Sequence, residues 1–262
     1  MEERDFLLRG LYTAASGMIM NNQQSEAIDR NIENMNNPGY LEESERVTSF
    51  PRLLVSRLTP STTSDKPSEN VPLGIMGTGV YAEKVLYSTE PGLIRETGNM
   101  TDVALNGDGF FVVETLDGER YTRNGHFQVD PSGMLRTAGG NLVLGQNGAI
   151  GPLPDDFTIL QDGTIISTDS SQVIDKLTIV DIPAEDLDRD GLTSLYNSQN
   201  QPTEILPKNI RVEQGFIEES NVDLNAQMVK MIQVTRSYSA NQKVVQTNDE
   251  ILQKAVNEIG KV

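Results

Sequence analysis

The 262-residue chain contains no cysteine, no tryptophan and a single histidine. Without thiols it has no disulfides, no thiolate metal sites and no cysteine nucleophile. One imidazole, His126, rules out any metal site that needs two histidines and leaves a Ser/His/Asp triad a single candidate. Hydrophobic residues make up 37 % and aromatics 5 %, which is thin for one large globule. No apolar run approaches the roughly 18 residues of a membrane-crossing helix. The first ten residues are acidic and carry no apolar stretch, so no cleaved secretory signal is expected. Basic residues are also scarce: 21 Lys+Arg face 38 Asp+Glu, for a net charge of −17. Nucleic acid and anionic membranes both call for clustered positive charge, so neither is an expected partner. Composition describes a soluble, acidic chain with no cofactor and no catalytic set.

Periodicity organises what is present. Residues 8–35 lack proline, and Leu11, Met18 and Ile32 share one heptad column, while Leu8 and Ala15 start a second. Pro38 and Gly39 stop this helix. At the other end Asn221 is a capping residue, and residues 222–259 hold neither proline nor glycine. Leu224, Met231, Tyr238, Val245, Leu252 and Ile259 stand seven apart along it. Residues 59–72 are polar, rich in Pro, Ser and Thr, and read as a linker. From there short β-like runs alternate with Asn106-Gly107, Asp108-Gly109, Asp117-Gly118 and Asn124-Gly125, the chemistry of tight hairpins. The expected fold class is α+β, with long N- and C-terminal helices forming a coiled-coil-like assembly domain and a central all-β, hairpin-rich domain. The expected divisions are an assembly helix and signature in 1–40, a linker or extended segment in 41–74, the β domain in 75–213 and a second assembly helix in 214–262.

Three constellations imitate chemistry. Asp186-Leu-Asp-Arg-Asp-Gly191 copies the first half of a calcium loop, but Asn197 stands where a bidentate Glu is needed, so it reads as an acidic turn. His126 has no Ser or Cys elbow beside it and reads as a partly buried turn histidine. Asp102 and Asp108 sit among Asn and Gly, where turn hydrogen bonding accounts for them better than paired-carboxylate catalysis.

Four segments resemble a known family. They are Leu8 to Met18; Asn31-Ile32, Asn34 and Pro38-Gly39-Tyr40; Gly98-Asn99 through Phe111 to Tyr121-Thr-Arg-Asn-Gly-His-Phe127; and Gln214-Gly-Phe-Ile-Glu-Glu-Ser-Asn-Val222 with Arg236-Ser-Tyr238. Together they resemble the axial proteins of the bacterial flagellum, most of all the basal-body rod proteins. Asp29, Arg30, Glu33 and Asn37 depart from the family pattern and add charge to the first helix. The resemblance implies a non-enzymatic structural subunit of a drive shaft in the basal body, exported by the flagellar type III apparatus without a cleaved signal. Its partners would be further copies of itself in a helical tube and the other rod and hook proteins, with no cofactor. The assembly residues would be Leu8, Leu11, Met18, Ile32, Leu224, Met231, Tyr238, Val245, Leu252 and Ile259. The signature turns would be Asn34, Gly39, Tyr40, Asn106, Gly107, Gly109, Asn124 and Gly125. The alternatives are a hook or hook-junction protein or, in another class, a secreted calcium-dependent β-domain binding protein.

Overall fold

The computed structural model of the chain describes residues 2–51, 53–59, 69–77, 79–169, 172–191, 194–198, 200, 202–204 and 210–259. The side chains of Leu8 and Ile259 lie outside the described set. Two compact units form, one from residues 1–28, 45–85 and 228–262, the other from residues 29–44 and 86–227.

The first unit holds most of helix α1 (Glu2–Glu33) and helix α2 (Leu224–Ile259), with strands β1 (Glu43–Ser49), β2 (Leu53–Thr59), β3 (Glu69–Met76) and β4 (Val80–Tyr87). β1 pairs with β4 and β2 with β3, so the strands form two successive two-stranded ladders. Between the ladders the Phe50 amide donates to the Gly79 carbonyl, and the Phe50 ring stacks on Tyr81 at 5.2 Å. Within the expected linker or extended segment 41–74 the described residues are largely strand, and residues 60–68 lie outside the described residues.

The helices meet antiparallel. Gly10 faces Asn248 and Gly17 faces Asn241, with a methyl on Gly17 falling 2.7 Å from the Asn241 amide nitrogen. Asn21 donates to the Ser237 hydroxyl at 3.1 Å, and Ser25 to the Met231 sulfur at 3.4 Å. This overturns the expected coiled-coil-like assembly domain. Such a seam needs apolar knobs seated in holes along its length, whereas this one sets amides and hydroxyls against glycine and small residues. Met228, Val229, Ile232, Val244 and Ile251 stay about half exposed. Among the described residues there are two helices, one near each end, and a β-rich body between them; the class is α+β. The α2 cap also differs from expectation. Asp223 takes it, its Oδ1 accepting the Asn225 amide at 2.9 Å, because the Asn221 side chain is engaged elsewhere.

The second unit contains the strands β5 (Ile94–Glu96), β6 (Val103–Asn106), β7 (Phe110–Thr115), β8 (Gly118–Thr122), β9 (Phe127–Val129), β10 (Leu135–Thr137) and β11 (Leu142–Gly145). After them come β12 (Gly148–Ala149), β13 (Phe157–Ile159), β14 (Thr164–Ser167), β15 (Val173–Lys176), β16 (Ile179–Asp181), β17 (Leu187–Arg189) and β18 (Tyr196–Ser198). β19 (Thr203–Glu204), β20 (Arg211–Gln214) and β21 (Phe216–Glu218) complete it. The main sheet runs β17-β18-β8-β7-β11-β10-β9 and is antiparallel throughout. β7 is buried on both faces, which explains its unbroken Phe-Phe-Val-Val run. Phe111 packs edge-on against Phe127 at 5.2 Å, and Phe110 against Tyr196 on the other face at 6.0 Å. β20 pairs with β6, and β21 with β5, so the segment leading to α2 is woven into the body.

Gly125 shows how tightly this weave closes. The Val103 amide donates to the Gly125 carbonyl at 3.0 Å, and any side chain on Gly125 would overlap the Val103 carbonyl oxygen. Gly125→Ala is expected to cost about 3 kcal/mol or more through overpacking. Gly140→Ala, at a positive φ of 85° but in open space, should cost about 1 kcal/mol. Thermal melting of the two variants checks the order; equal losses would refute the close approach.

Candidate functional site

The second unit brings three distant signature segments to one buried charge pair. Arg123 and Glu218 are each 2 % exposed at their side chains. The Arg123 Nη2 donates to Glu218 Oε1 at 3.0 Å, while Nε lies 3.0 Å from Oε2 as a charge contact. Nη1 donates to the carbonyls of Gly107 at 2.9 Å and Gly109 at 2.7 Å. Those glycines reach positive φ, 134° and 151°, which points their carbonyls at the guanidinium. Glu218 Oε1 also accepts the Gly92 amide at 3.0 Å. The Gly39 amide donates to the Glu218 carbonyl at 2.9 Å. Gly39, at φ 65°, sits so close to the Arg123–Asn124 peptide that a Cβ would overlap it. The Asn34 turn, Gly39-Tyr40, the Gly107–Gly109 turn, Asn124-Gly125 and the run into α2 thus belong to one construction.

A second cluster surrounds Arg189. Its guanidinium carbon lies 4.4 Å from the Tyr40 ring centre, 5.3 Å from Tyr87 and 6.0 Å from Tyr196. Nη1 donates to Glu43 Oε2 at 2.8 Å, and Glu43 also pairs with Arg30. Burial pushes the Tyr40 phenol up to about 12, the Arg189 charge opposing the rise. Amides complete the network. Asn31 accepts the Tyr40 hydroxyl at 3.2 Å and the Glu43 amide at 2.9 Å, and donates to the Glu43 carbonyl at 2.8 Å. Gln227, at the start of α2, donates to Glu42 Oε1 at 2.8 Å. Asn221 accepts the Glu42 amide at 2.6 Å and donates to the carbonyls of Ser88 and Glu90. The last turn of α1 and the first of α2 are both held in this network.

His126 pairs with Asp102. Its Nδ1 lies 2.7 Å from Asp102 Oδ1, and Oδ2 accepts from Thr97 Oγ1 at 2.6 Å and Asn99 Nδ2 at 3.1 Å. Burial disfavours the Asp102 charge, but the bonds from Thr97, Asn99 and His126 outweigh it and hold the carboxyl below its ordinary range. An ionised Asp102 makes Nδ1 the donor. The acidic loop is equally occupied: Asp186 accepts the Asn200 amide, Asp190 pairs with Arg120 at 2.7 Å, and Leu187–Arg189 is strand. No metal-holding group of three or more acidic, His or Cys side chains occurs among the described residues.

The described residues of the expected assembly column share an intermediate environment. Leu11, Met18, Ile32, Leu224, Met231, Val245 and Leu252 are half-buried, and Tyr238 is 39 % exposed. Tyr238 and Met18 line one groove of about 400 Å³ with Ala15, Ile19, Asn22 and Gln23. Asn34 donates to the Arg30 carbonyl at 2.8 Å, and Asn106 to Glu213 at 3.1 Å. Asn124 Oδ1 accepts the His126 amide at 2.9 Å. Arg123, Glu218 and Arg189 were not singled out as site residues from sequence. Arg123 and Glu218 lay inside quoted segments, but nothing in an isolated charge tells that it is buried.

Comparison with known proteins places these segments. Residues 213–258 match the family described as flagellar basal body rod FlgEFG protein C-terminal, and residues 104–188 match the flagellar hook protein FlgE/F/G D1 domain. The chain is 31 % identical to the flagellar basal-body rod protein FlgG of Bacillus subtilis over 264 residues, covering 96 % of this chain and 99 % of the relative. It is 30 % identical to the flagellar hook-basal body complex protein FlhO of the same organism, covering 98 % and 100 %. The flagellar basal-body rod protein FlgF of Caulobacter vibrioides is 30 % identical, covering 96 % and 98 %.

Two outcomes are expected from these geometries. Arg123→Met strands the buried Glu218 carboxylate and should cost about 3–5 kcal/mol in denaturant unfolding. The double variant Arg123→Met, Glu218→Leu should lose less than the sum of its single changes. Asp102 has a folded pKa below its unfolded value of about 3.9. Its contribution is present above that value and lost as pH falls through the lower folded pKa. Asp102→Asn should lower the melting temperature at neutral pH and flatten the acid arm of stability against pH. An unchanged acid arm would show that Asp102 does not carry it.

Proposed function

The chain belongs to the flagellar basal-body rod protein family and is a structural subunit of the rod; on that premise we propose that its two units divide the work of a drive shaft. The protein resides in the flagellar basal body and assembles with other rod and hook proteins. Copies of the chain also join one another through a heterologous, non-closing contact, which generates a helical tube. The half-exposed apolar residues of α2, with the groove lined by Met18, Ile19 and Tyr238, are the contact surface, because they stay open to solvent among the described residues. The protein catalyses no reaction, and its one histidine serves the Asp102 turn. It leaves the cytoplasm through the flagellar type III apparatus.

One observation carries the mechanical reading. Residues 29–33, which close α1, and residues 224–227, which open α2, lie in the same compact unit as the β body, tied to it by Asn31, Asn221, Gln227 and Arg189. Load arriving along either helix enters the sheet through directional bonds. The hook reading is weaker, because relatives matched along nearly their whole length bear rod names.

Deletion of the gene should stop the axis before the hook, giving cells without external filaments; normal swimming would refute the assignment. Replacing the half-exposed Val244 and Ile251 by Asp should leave the melting of the isolated protein nearly unchanged while blocking incorporation into basal bodies. Normal incorporation would remove α2 from the contact surface.

A further inference from the structure

Three Asn-Gly peptides occur in the body, at Asn106-Gly107, Asn124-Gly125 and Asn147-Gly148. Asparagine followed by glycine is chemically vulnerable, because no Cβ on the second residue hinders its nitrogen from reaching the asparagine side chain. The three sites are held very differently.

Asn124 is locked. Its Oδ1 accepts the His126 amide at 2.9 Å, its own amide donates to Thr122 Oγ1 at 3.0 Å, and Gly39 presses on its backbone. Asn147 occupies the two-residue loop between β11 and β12, and its side chain donates at 2.9 Å to Asp175, a buried carboxylate also fixed by the Lys176 amide. Asn106 is exposed at the last register pair of β6 with β20, and its side-chain bond goes to Glu213 at the surface. The half-exposed Gly107 follows it at φ 134°.

We propose that Asn106-Gly107 is a self-modification site at which the folded chain converts Asn106 to isoaspartate. The Gly107 nitrogen attacks Asn106 Cγ, forming an N–Cγ bond; the Cγ–Nδ2 bond breaks, and the proton lost by the Gly107 nitrogen leaves with Nδ2 as ammonia. Water then opens the succinimide ring. Attack at one carbonyl gives aspartate, and at the other isoaspartate, whose main chain is longer by one methylene. The consequences reach the buried pair. A new carboxylate stands beside Glu213 where a hydrogen bond had been, and the Gly107 carbonyl that accepts from Arg123 is displaced.

The test incubates the full folded chain at neutral and mildly alkaline pH. Peptide mass mapping and methyl labelling by an isoaspartyl methyltransferase follow the products. The label and the amide-to-acid mass gain should appear at Asn106 several-fold sooner than at Asn124 or Asn147, and faster at the higher pH. In denaturant the three sites should react alike. Asn106→Gln and Asn106→Ser should each remove the early label. Early reaction at Asn124 or Asn147 in the folded chain would overturn the proposal. So would an early label that persists in both variants, which would place the chemistry at Asp108.

Discussion

A guanidinium and a carboxylate that are both taken out of water constrain everything around them. Removing either charge from solvent costs several kcal/mol, and their mutual attraction offsets this only when the remaining donors and acceptors are met. Around Arg123 and Glu218 backbone meets most of them, through the carbonyls of Gly107 and Gly109 and the amide of Gly92, while Arg123 Nε and Glu218 Oε2 have only their mutual 3.0 Å charge contact. Backbone partners can be supplied only if the loops take particular conformations, so the pair dictates the shape of the Gly107–Gly109 turn. It also sets the approach of the Gly39 segment, whose amide bonds to the Glu218 carbonyl. A charge pair of this kind contributes little net stability. Its effect is to make alternative packings of the three segments expensive.

The same preference for directional bonds over apolar burial recurs at the helix ends and between the helices. Asn31, Asn221 and Gln227 fasten the roots of α1 and α2, and the facing surfaces of the helices carry Asn241 and Asn248 over glycines. Amide contacts set register but bury little hydrocarbon. Met228, Val229, Ile232, Val244 and Ile251 of α2 accordingly stay about half exposed, and they form the surface that the proposed contact between copies would use.

Much of this architecture was legible in the sequence. Glycine-containing turns between short apolar runs gave away the hairpins of the body, and the long stretches free of proline and glycine gave away two terminal helices. The signature residues marked the family without any coordinates. Other features had no such trace. Arg123, Arg189 and Glu218 carry no sign of burial in their local sequence, because burial depends on what folds over a residue from elsewhere in the chain. Residues 59–72 read as a linker because their polar, Pro-containing composition suits one, whereas the antiparallel pairing of Leu53–Thr59 with Glu69–Met76 holds both ends of that segment extended.

The heptad spacing of Leu224 through Ile259 shows the limit most clearly. Periodicity within one helix depends on local chain geometry alone, so sequence settled that the helix exists and which residues share a face. What that face touches depends on the shape and polarity of a second surface, and α1 answers with glycine, alanine and asparagine where a coiled-coil seam would require leucine. Local conformation and composition were therefore determined residue by residue. The burial of charges, the identity of the α2 cap at Asp223 and the antiparallel amide contacts arose only when distant segments met, because their energies belong to pairs that sequence proximity never brings together.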